Sequence, residues 1–307
     1  MRIVFMGTPD FAVVSLRRLV EDGHEIAGVF TQPDKPGNRK KMTAPPVKEY
    51  ALSKGIPVYQ PERMRGEEPL ALLRSLEPEL TVVAAYGQIL PEDILGVAKL
   101  GSVNVHASAL PKYRGAAPIN WAILNGERET GVTIMHMAKK LDAGDMIRVR
   151  TTPIAPDEDA EALFARLAAL GAELLSETIS AIADGTAART PQSDDEATYA
   201  PMLTREMSPI DWNKDAGTVI NQVRGLTPWP CASMTVDGLT LKVWRAAPGG
   251  ETNDPVGTLR AAKRGIEAAC GDGKTVLITE VQPEGGKRMP AGAWLNGKRA
   301  AAGTILS

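Results

Sequence analysis

Three residues whose side chains could serve one reaction lie close together in the chain: Asn104, His106 and Asp142. An amide NH2 can donate a hydrogen bond to a developing oxyanion, and an imidazole can donate to the same oxygen or move a proton. A carboxylate can hold the imidazole in one tautomer. Because no Ser or Cys nucleophile is needed, the set suits direct acyl transfer to an incoming amine. From spacing alone, a strand end, a loop residue and a turn former explain these positions equally well.

The surrounding pattern predicts the elements that carry these residues. Residues 101–105 alternate in polarity, which is typical of a strand that ends near Asn104 and His106. Residues 131–137 predict a second strand, and Asp142 lies in the loop after it. If both strands belong to one sheet, the loops that follow them meet at one rim. Ligands of open α/β sheets bind at that rim, so we expect the three side chains to converge there.

The first part of the chain predicts a Rossmann-like α/β domain with a mostly parallel sheet. Residues 2–6 form an apolar run suited to a buried parallel strand, and a Gly turn and a helical pattern follow. The turn contains only Gly7, so the GxGxxG fingerprint of dinucleotide-binding proteins is absent. A nicotinamide-dependent oxidoreductase therefore loses most of its support.

A long cationic segment covers residues 32–46 and is rich in Pro and Gly. It carries Lys35, Arg39, Lys40 and Lys41. Loops of this length are uncommon and often functional, and a basic loop beside an active site suits contact with phosphates. A solvated surface loop is the competing interpretation from the sequence alone.

The second part of the chain predicts a small β domain. Residues 185–197 are polar and predict a linker, and about five short strands separated by turn pairs follow a helix at 216–224. This pattern favours a closed barrel of the OB type. We therefore expect a catalytic domain, a linker and an OB-like C-terminal domain, in that order, at residues 1–188, 189–206 and 207–307. Such barrels often bind oligonucleotides, although fold alone does not establish function.

Composition narrows the class of protein. The 307 residues are 43% hydrophobic and 23% charged, and the net charge of −2 at first argues against a nucleic-acid partner. The C-terminal part is mildly basic, which permits a polyanionic partner. No apolar run is long enough to span a membrane, and the N-terminus does not read as a signal peptide. With only Cys231 and Cys270, neither a disulfide framework nor a metal cluster is expected, and a cytoplasmic location is predicted.

Three short motifs resemble the signature of the folate-dependent formyltransferases. Residues 104–108, 110–115 and 141–145 read NVHAS, LPKYRG and LDAGD. In that family the Asn, His and Asp of these motifs are catalytic. The resemblance therefore implies catalytic roles for Asn104, His106 and Asp142, a formyl donor in the form of 10-formyltetrahydrofolate, and no metal.

The same resemblance implies which residues contact the folate. The expected positions lie after two predicted strands, and they are Gln88, Ile89, Leu90, Ser108, Ala109, Leu110 and Pro111. Two positions depart from the family pattern. Ala109 replaces a usual Leu, and the pair Lys139 and Lys140 precedes Asp142 where acidic or small residues are usual.

The opening residues 2–12 and the cationic segment resemble the tRNA-directed members of the family. In those members a basic insertion contacts the acceptor arm, and Arg39 aligns with its key arginine. The resemblance implies tRNA contacts by Lys35, Arg39, Lys40 and Lys41. The implied reaction is formyl transfer to the α-amino group of methionyl initiator tRNA for translation initiation, by a protein expected to be a monomer.

Two further interpretations stay open at this point. One is a formyltransferase with a small amine acceptor, such as a sugar nucleotide or glycinamide ribonucleotide. The other is a non-catalytic RNA-binding protein. A tRNA acceptor predicts steep salt dependence of KM, whereas a small neutral acceptor does not. A turnover assay separates both enzymes from the binding protein.

Overall fold

The computed structural model describes residues 1–36, 42–298, 303 and 305–306. The chain divides into two compact units. The first unit contains Met1–Gly115, Thr130–Thr152 and Phe164–Ala200. The second unit contains Ala116–Glu129, Pro153–Leu163 and Pro201–Ser307. The contiguous boundaries expected from the sequence stay predictions, because a division by compactness follows contacts rather than chain order.

Short strands, with helices between them, occur throughout the described chain up to residue 200. In chain order they are β1 Arg2–Gly7, β2 Glu25–Phe30, β3 Lys35–Pro36, β4 Met42–Thr43, β5 Val58–Tyr59, β6 Leu80–Ala84, β7 Ser102–His106, β8 Arg114–Gly115, β9 Glu129–His136, β10 Met146–Pro153 and β11 Tyr199–Ala200. The helices between them are α1 Asp10–Glu21, α2 Pro46–Ser53, α3 Glu67–Ser75, α4 Glu92–Leu95, α5 Pro118–Leu124 and α6 Ala160–Ala183.

Seven of the described strands form the main sheet, in the order β10-β9-β7-β6-β1-β2-β5. The strands β5, β2, β1, β6 and β7 run parallel to one another. This arrangement confirms the expected Rossmann-like, mostly parallel sheet. Strand β9 differs, because it pairs antiparallel with β7.

The loop after β9 was expected to meet the loop after β7 at one rim of the sheet. Because β9 runs antiparallel to β7, this expectation is wrong. His136, at the end of β9, pairs with Val103, near the start of β7. The loop after β9 therefore leaves at the opposite end of β7 from His106. Asp142 nevertheless lies beside His106, because residues 137–145 fold back toward the carboxyl end of β7.

Burial explains why β7 is held rigidly in this unit. Every residue of β7 is buried, as expected for a central strand with both faces covered. Helix α6 approaches it closely, since a Cβ on Gly171 would lie 2.9 Å from Cγ1 of Val105. Val105 sits between Asn104 and His106, so this contact braces the strand segment that carries both side chains.

The second unit contains an antiparallel sheet. Its elements from residue 201 onward are a 3-10 helix at Arg205–Met207, α7 Ala216–Gly225, β12 Ala232–Val236, β13 Leu239–Glu251, β14 Leu259–Ala262, β15 Gly265–Ala269, β16 Lys274–Pro283, β17 Met289–Pro290, α8 Ala291–Gly297 and β18 Ile305–Leu306. The strand order is β12-β13-β16-β15-β14-β18, and β17 also pairs with β16. An antiparallel C-terminal sheet is thus confirmed. Its closure into an OB-like barrel stays a prediction.

Candidate active site

Asn104 and His106 lie on β7 and project to the same face, because alternate residues of a strand share a face. Both are buried, at 9% and 6% exposure. Nε2 of His106 lies 3.0 Å from the backbone carbonyl oxygen of Tyr113. A carbonyl oxygen only accepts, so this contact places a hydrogen on Nε2 and fixes the orientation of the ring.

The side-chain amide of Asn104 has no hydrogen-bond partner among the residues that the structure describes. The residue is largely buried, but its amide atoms are not among the buried side-chain atoms that lack a partner, so they remain accessible. Asn104 is therefore the site's available donor for a ligand oxygen.

Asp142 completes the cluster. Its Oδ2 lies 3.7 Å from Nδ1 of His106 and accepts a hydrogen bond of 2.9 Å from the backbone N–H of Gly115. The distance to His106 exceeds a hydrogen bond, but catalytic contacts often shorten only when substrate binds. The expectation that Asn104, His106 and Asp142 converge is met in their geometry, and their catalytic roles stay predictions.

The turn that carries Asp142 has little freedom. Asp142 has a φ of 47°, in the left-handed region that Asp tolerates better than most residues. A Cβ on Gly144 would lie 1.8 Å from the carbonyl oxygen of His136, so only glycine fits there. The LDAGD motif is thus explained by backbone geometry as well as by chemistry.

Residues 108–111, predicted to contact folate, form a loop held by Thr133 on β9. The Thr133 hydroxyl donates to the carbonyl oxygen of Ser108 over 2.8 Å and accepts from the N–H of Leu110 over 3.1 Å. The Ser108 hydroxyl donates to the carbonyl oxygen of Lys112 over 2.6 Å. Ala109 and Pro111 are half-buried, and they are the members of this loop that keep accessible surface.

The second predicted folate segment follows β6. Gln88 uses its amide internally: its Oε1 accepts from the N–H of Met64 over 2.7 Å, and its Nε2 donates to the carbonyl oxygen of Pro61 over 3.1 Å. Leu90 is in the core at 6% exposure, whereas Ile89 is 87% exposed. Of these three side chains, Ile89 alone presents a large apolar surface to a ligand. Folate contacts by this segment stay a prediction.

The cationic segment has an ordered base. Strands β3 and β4 pair antiparallel, with Lys35 opposite Thr43. Lys48 donates to the Asp34 carboxylate over 2.8 Å and to Oε1 of Gln60 over 2.7 Å, which holds the pKa of Asp34 below its usual value. Lys35 is exposed at this base. The predicted tRNA contacts Arg39, Lys40 and Lys41 lie outside the described residues.

The two lysines that depart from the family pattern are accommodated at the surface. The Lys139 side chain is 81% exposed and lies 3.8 Å from Glu92. Lys140 donates to Oδ2 of Asp194 over 2.6 Å. Neither side chain contacts the side chains of Asn104, His106 or Asp142 directly.

One residue that contacts the candidate site was not predicted from the sequence. Gln192, in the segment predicted as a linker, donates to the carbonyl oxygens of Asp142 and Gly144 over 2.9 and 2.8 Å. Its Oε1 accepts from Nε of the buried Arg114 over 3.0 Å. No local pattern marks such a residue, because its partners lie far away in sequence.

The mildly basic C-terminal part contains cationic side chains that are partly neutralised. Six of its exposed basic residues are Lys242, Arg245, Lys263, Arg264, Lys287 and Arg288. Arg245 and Arg288 share Glu280, at 3.4 and 2.6 Å, and the Arg288 guanidinium also stacks over Trp244 at 4.6 Å. The pKa of Glu280 is lowered mainly by its hydrogen bond from Arg288.

Two kinds of feature are absent from the part of the chain that the structure describes. None of its helices is both long and apolar enough to cross a bilayer. None of its clusters of three or more His, Cys, Asp or Glu side chains has the arrangement of a metal site.

Comparison with protein families gives two matches. Residues 1–179 match the family described as formyl transferase, and residues 202–299 match the formyl transferase C-terminal domain. The first match contains every predicted catalytic and folate-contacting position.

Relatives similar over the full length share one name. A methionyl-tRNA formyltransferase of Geobacter sulfurreducens is 49% identical over 307 residues, covering 100% of this chain and 96% of that protein. That of Caldanaerobacter subterraneus is 50% identical over 309 residues and covers 100% of both chains. That of Bacillus subtilis is 47% identical over 310 residues, covering 99% of this chain and 97% of the other.

Solved structures share the fold at low identity. WlaRD, described as a sugar 3N-formyl transferase in the presence of dTDP and 5-N-formyl-THF, superposes with a TM-score of 0.70 at 20% identity, covering 92% of this chain and 97% of its own. HypX from Aquifex aeolicus in complex with tetrahydrofolic acid gives 0.66 at 20% identity, covering 100% of this chain and 50% of its own.

Proposed function

Because this chain belongs to the formyl transferase family, we propose that it transfers a formyl group from 10-formyltetrahydrofolate to the α-amino group of methionyl initiator tRNA. The observation that carries this proposal is the convergence of Asn104, His106 and Asp142 in a chain about half identical, over its full length, to methionyl-tRNA formyltransferases. The product supplies translation initiation.

The donor substrate brings an activated formyl group on a nitrogen. The residues present suit this substrate. Asn104 has an unpaired amide, and Ile89 has exposed apolar surface. Ala109 and Pro111, which follow His106 closely in sequence, keep accessible surface. Asn104 donates to the carbonyl oxygen of the formyl group as negative charge develops on it. One such donor typically contributes about 100–1,000-fold in rate.

His106 moves the proton. Its Nε2–H is committed to the Tyr113 carbonyl, so the neutral ring presents the lone pair of Nδ1. Nδ1 accepts the proton that the attacking amine loses and returns it to the departing nitrogen. The geometry therefore favours this role for His106 over the oxyanion-donor role that the sequence also suggested.

Asp142 supports the protonated ring. Its Oδ2 faces Nδ1 at 3.7 Å, so the imidazolium formed during the reaction is stabilised by a carboxylate only 10% exposed to solvent. Proton transfer of this kind contributes about 100–10,000-fold in rate. Direct transfer between amine and donor forms no covalent bond to the protein.

In this proposal the exposed Lys35 and the rest of the cationic segment supply phosphate contacts for tRNA, and the basic side chains of the second unit add to them. A cytoplasmic location and a monomeric state belong to the same proposal. Sedimentation equilibrium of the purified chain measures the second.

A small-molecule acceptor is the competing function, since WlaRD acts on a sugar, but that likeness at 20% identity extends to the fold alone. The test is an acceptor panel with 10-formyltetrahydrofolate as donor. Its acceptors are charged initiator Met-tRNA, elongator Met-tRNA, free methionine and a dTDP-linked amino sugar. Transfer to initiator Met-tRNA alone supports the proposal. Transfer to the amino sugar would replace it, and no transfer to any acceptor would favour the non-catalytic RNA-binding protein.

A further inference from the structure

The position of the Asp142 carboxylate depends on a turn with few hydrogen bonds of its own. Within residues 140–144, the turn contact is the N–H of Ala143 to the carbonyl oxygen of Lys140, at 3.3 Å. Asp142 itself has a φ of 47°, which a non-glycine residue adopts only when its surroundings hold it there. Something outside the turn must therefore fix it.

Gln192 is that external support. Its amide nitrogen has two hydrogens, and both are used: one bonds the carbonyl oxygen of Asp142 at 2.9 Å and the other that of Gly144 at 2.8 Å. These two carbonyls bracket the turn. An amide group is the side chain that can donate twice to adjacent carbonyls while accepting on its other side.

The accepting side of Gln192 is fixed as well. Its Oε1 accepts from Nε of Arg114, whose side chain is fully buried, and Nη1 of Arg114 donates to Oδ1 of Asp194 over 2.7 Å. The other oxygen of Asp194 accepts from Lys140, and the hydrogen bonds from Lys140 and Arg114 lower the pKa of Asp194. Gln192 and Asp194 thus bind Arg114, the residue before Gly115. Asp194 also binds Lys140, at the start of the Asp142 turn.

Gly115 links these contacts to the carboxylate. Its N–H donates to Oδ2 of Asp142, so Gly115, the residue after Arg114, holds the carboxylate while Gln192 holds the main chain. We propose that Gln192 is a positioning residue for Asp142, acting through the turn and through Arg114. This inference rests on the proposed function, because it assigns a role within the same site.

The test substitutes Gln192→Glu, which keeps the size but turns an acceptor toward the two carbonyls. We expect kcat for formyl transfer to fall about 10- to 100-fold, the usual effect of a displacement near 1 Å, and KM for both substrates to change less than about threefold. Gln192→Met, which removes the donors without adding a charge, repeats the result. Unchanged kcat in either variant overturns the inference.

Gln222→Glu is the matched control. Gln222, in the second unit, also donates from one amide to two carbonyls, those of Met207 and Pro209, at 2.8 and 3.0 Å. The control therefore loses the same pair of bonds within the second unit. A kcat loss in this control equal to that of Gln192→Glu would assign the effect to general destabilisation and overturn the positioning role.

A double-mutant comparison separates positioning from an independent role. In an Asp142→Ala background, Gln192→Glu should cost less than about a further twofold in kcat, because the group that it positions is gone. A full repeated loss would contradict the inference.

One readout does not require turnover. The ring 15N chemical shifts of His106 should move in Gln192→Glu while those of His24 stay in place, because the acceptor facing Nδ1 is displaced. Unmoved His106 shifts would refute the positioning role even if the chain formylates tRNA. Moved shifts in a chain that does not formylate tRNA would retain the positioning role and reject the proposed function.

Discussion

The backbone N–H of Gly115 donates a hydrogen bond of 2.9 Å to Oδ2 of Asp142, and the same oxygen faces Nδ1 of His106 at 3.7 Å. One carboxylate oxygen is therefore oriented by the main chain before any substrate is present. Preorganised charge of this kind lowers a barrier without reorganisation during the reaction. In the proposed mechanism, Asp142 therefore has a role that a neutral side chain of the same shape cannot fill.

Asp142→Asn should reduce kcat for formyl transfer by about 100-fold or more, because the amide keeps an acceptor for Gly115 but removes the charge that stabilises protonated His106. The melting temperature should change little. Steady-state kinetics with Met-tRNA as acceptor measure the loss.

Asp145→Asn is the control for that variant. Asp145 lies in the same loop, is paired with Arg189 at 3.4 Å and is partly exposed. Its substitution should leave kcat within about twofold, as expected for an exposed ion pair. Equal losses in the two variants would mean that loop charge in general, rather than Asp142, supports the reaction.

Gly144→Ala should disturb the site without touching a reacting group. The added methyl would lie 1.8 Å from the carbonyl oxygen of His136, so the backbone of the Asp142 turn must move. We expect a loss of about 1–3 kcal/mol in the free energy of unfolding and at least about tenfold in kcat. Gly250→Ala, where no atom lies within 4 Å of the new methyl, should change neither quantity. A silent Gly144→Ala would show that the turn tolerates displacement.

Lys35→Glu should weaken binding of the tRNA acceptor without weakening binding of the formyl donor. If Lys35 contacts a phosphate, KM for Met-tRNA should rise severalfold in the variant. The slope of log KM against log salt concentration should fall by about one. KM for the formyl donor should not change. Lys99→Glu is the matched control, since Lys99 is also exposed but precedes β7 and so lies at the other end of that strand from His106. If the slope of log KM against log salt concentration is the same in both variants and in the unmodified chain, Lys35 does not contact tRNA.

The two cysteines report on folding of the second unit. Cys231 and Cys270 are buried, and burial raises the pKa of each thiol to about 11. At pH 8 about 0.1% of each is thiolate, so a disulfide reagent such as dithionitrobenzoate should label the native chain slowly, faster by about tenfold per pH unit below pH 11. Both thiols should react at once in denaturant. Rapid labelling of the native chain would contradict this packing.

Most elements of the first unit could be predicted from the sequence, since buried strands such as β1 and β6 leave apolar runs between turn residues. The direction of β9 could not. A buried strand has the same apolar pattern whether it runs parallel or antiparallel to its neighbour. Periodicity therefore does not predict that β9 pairs antiparallel with β7, or how the chain after β9 reaches Asp142.

The candidate site residues that belong to short motifs could be predicted from the sequence. A residue that contacts the site only through hydrogen bonds to distant positions could not. Asn104, His106 and Asp142 stood out by residue type, and Gln192 did not, because its hydrogen bond to Asp142 spans 50 positions and its bond to Arg114 spans 78. Side-chain contacts at such separations leave no local signal. The polar composition around Gln192 instead predicted a linker.

In the proposed mechanism, formyl transfer to initiator Met-tRNA depends on His106 and Asn104. The most direct measurement is the single-turnover rate of transfer from 10-formyltetrahydrofolate to charged initiator tRNA, with saturating substrates, for the unmodified chain and for His106→Ala and Asn104→Ala. We predict rapid transfer by the unmodified chain and losses of about 100-fold or more in both variants, each still folded by circular dichroism. Transfer at the unmodified rate in either folded variant, or no transfer by the unmodified chain, would contradict the account.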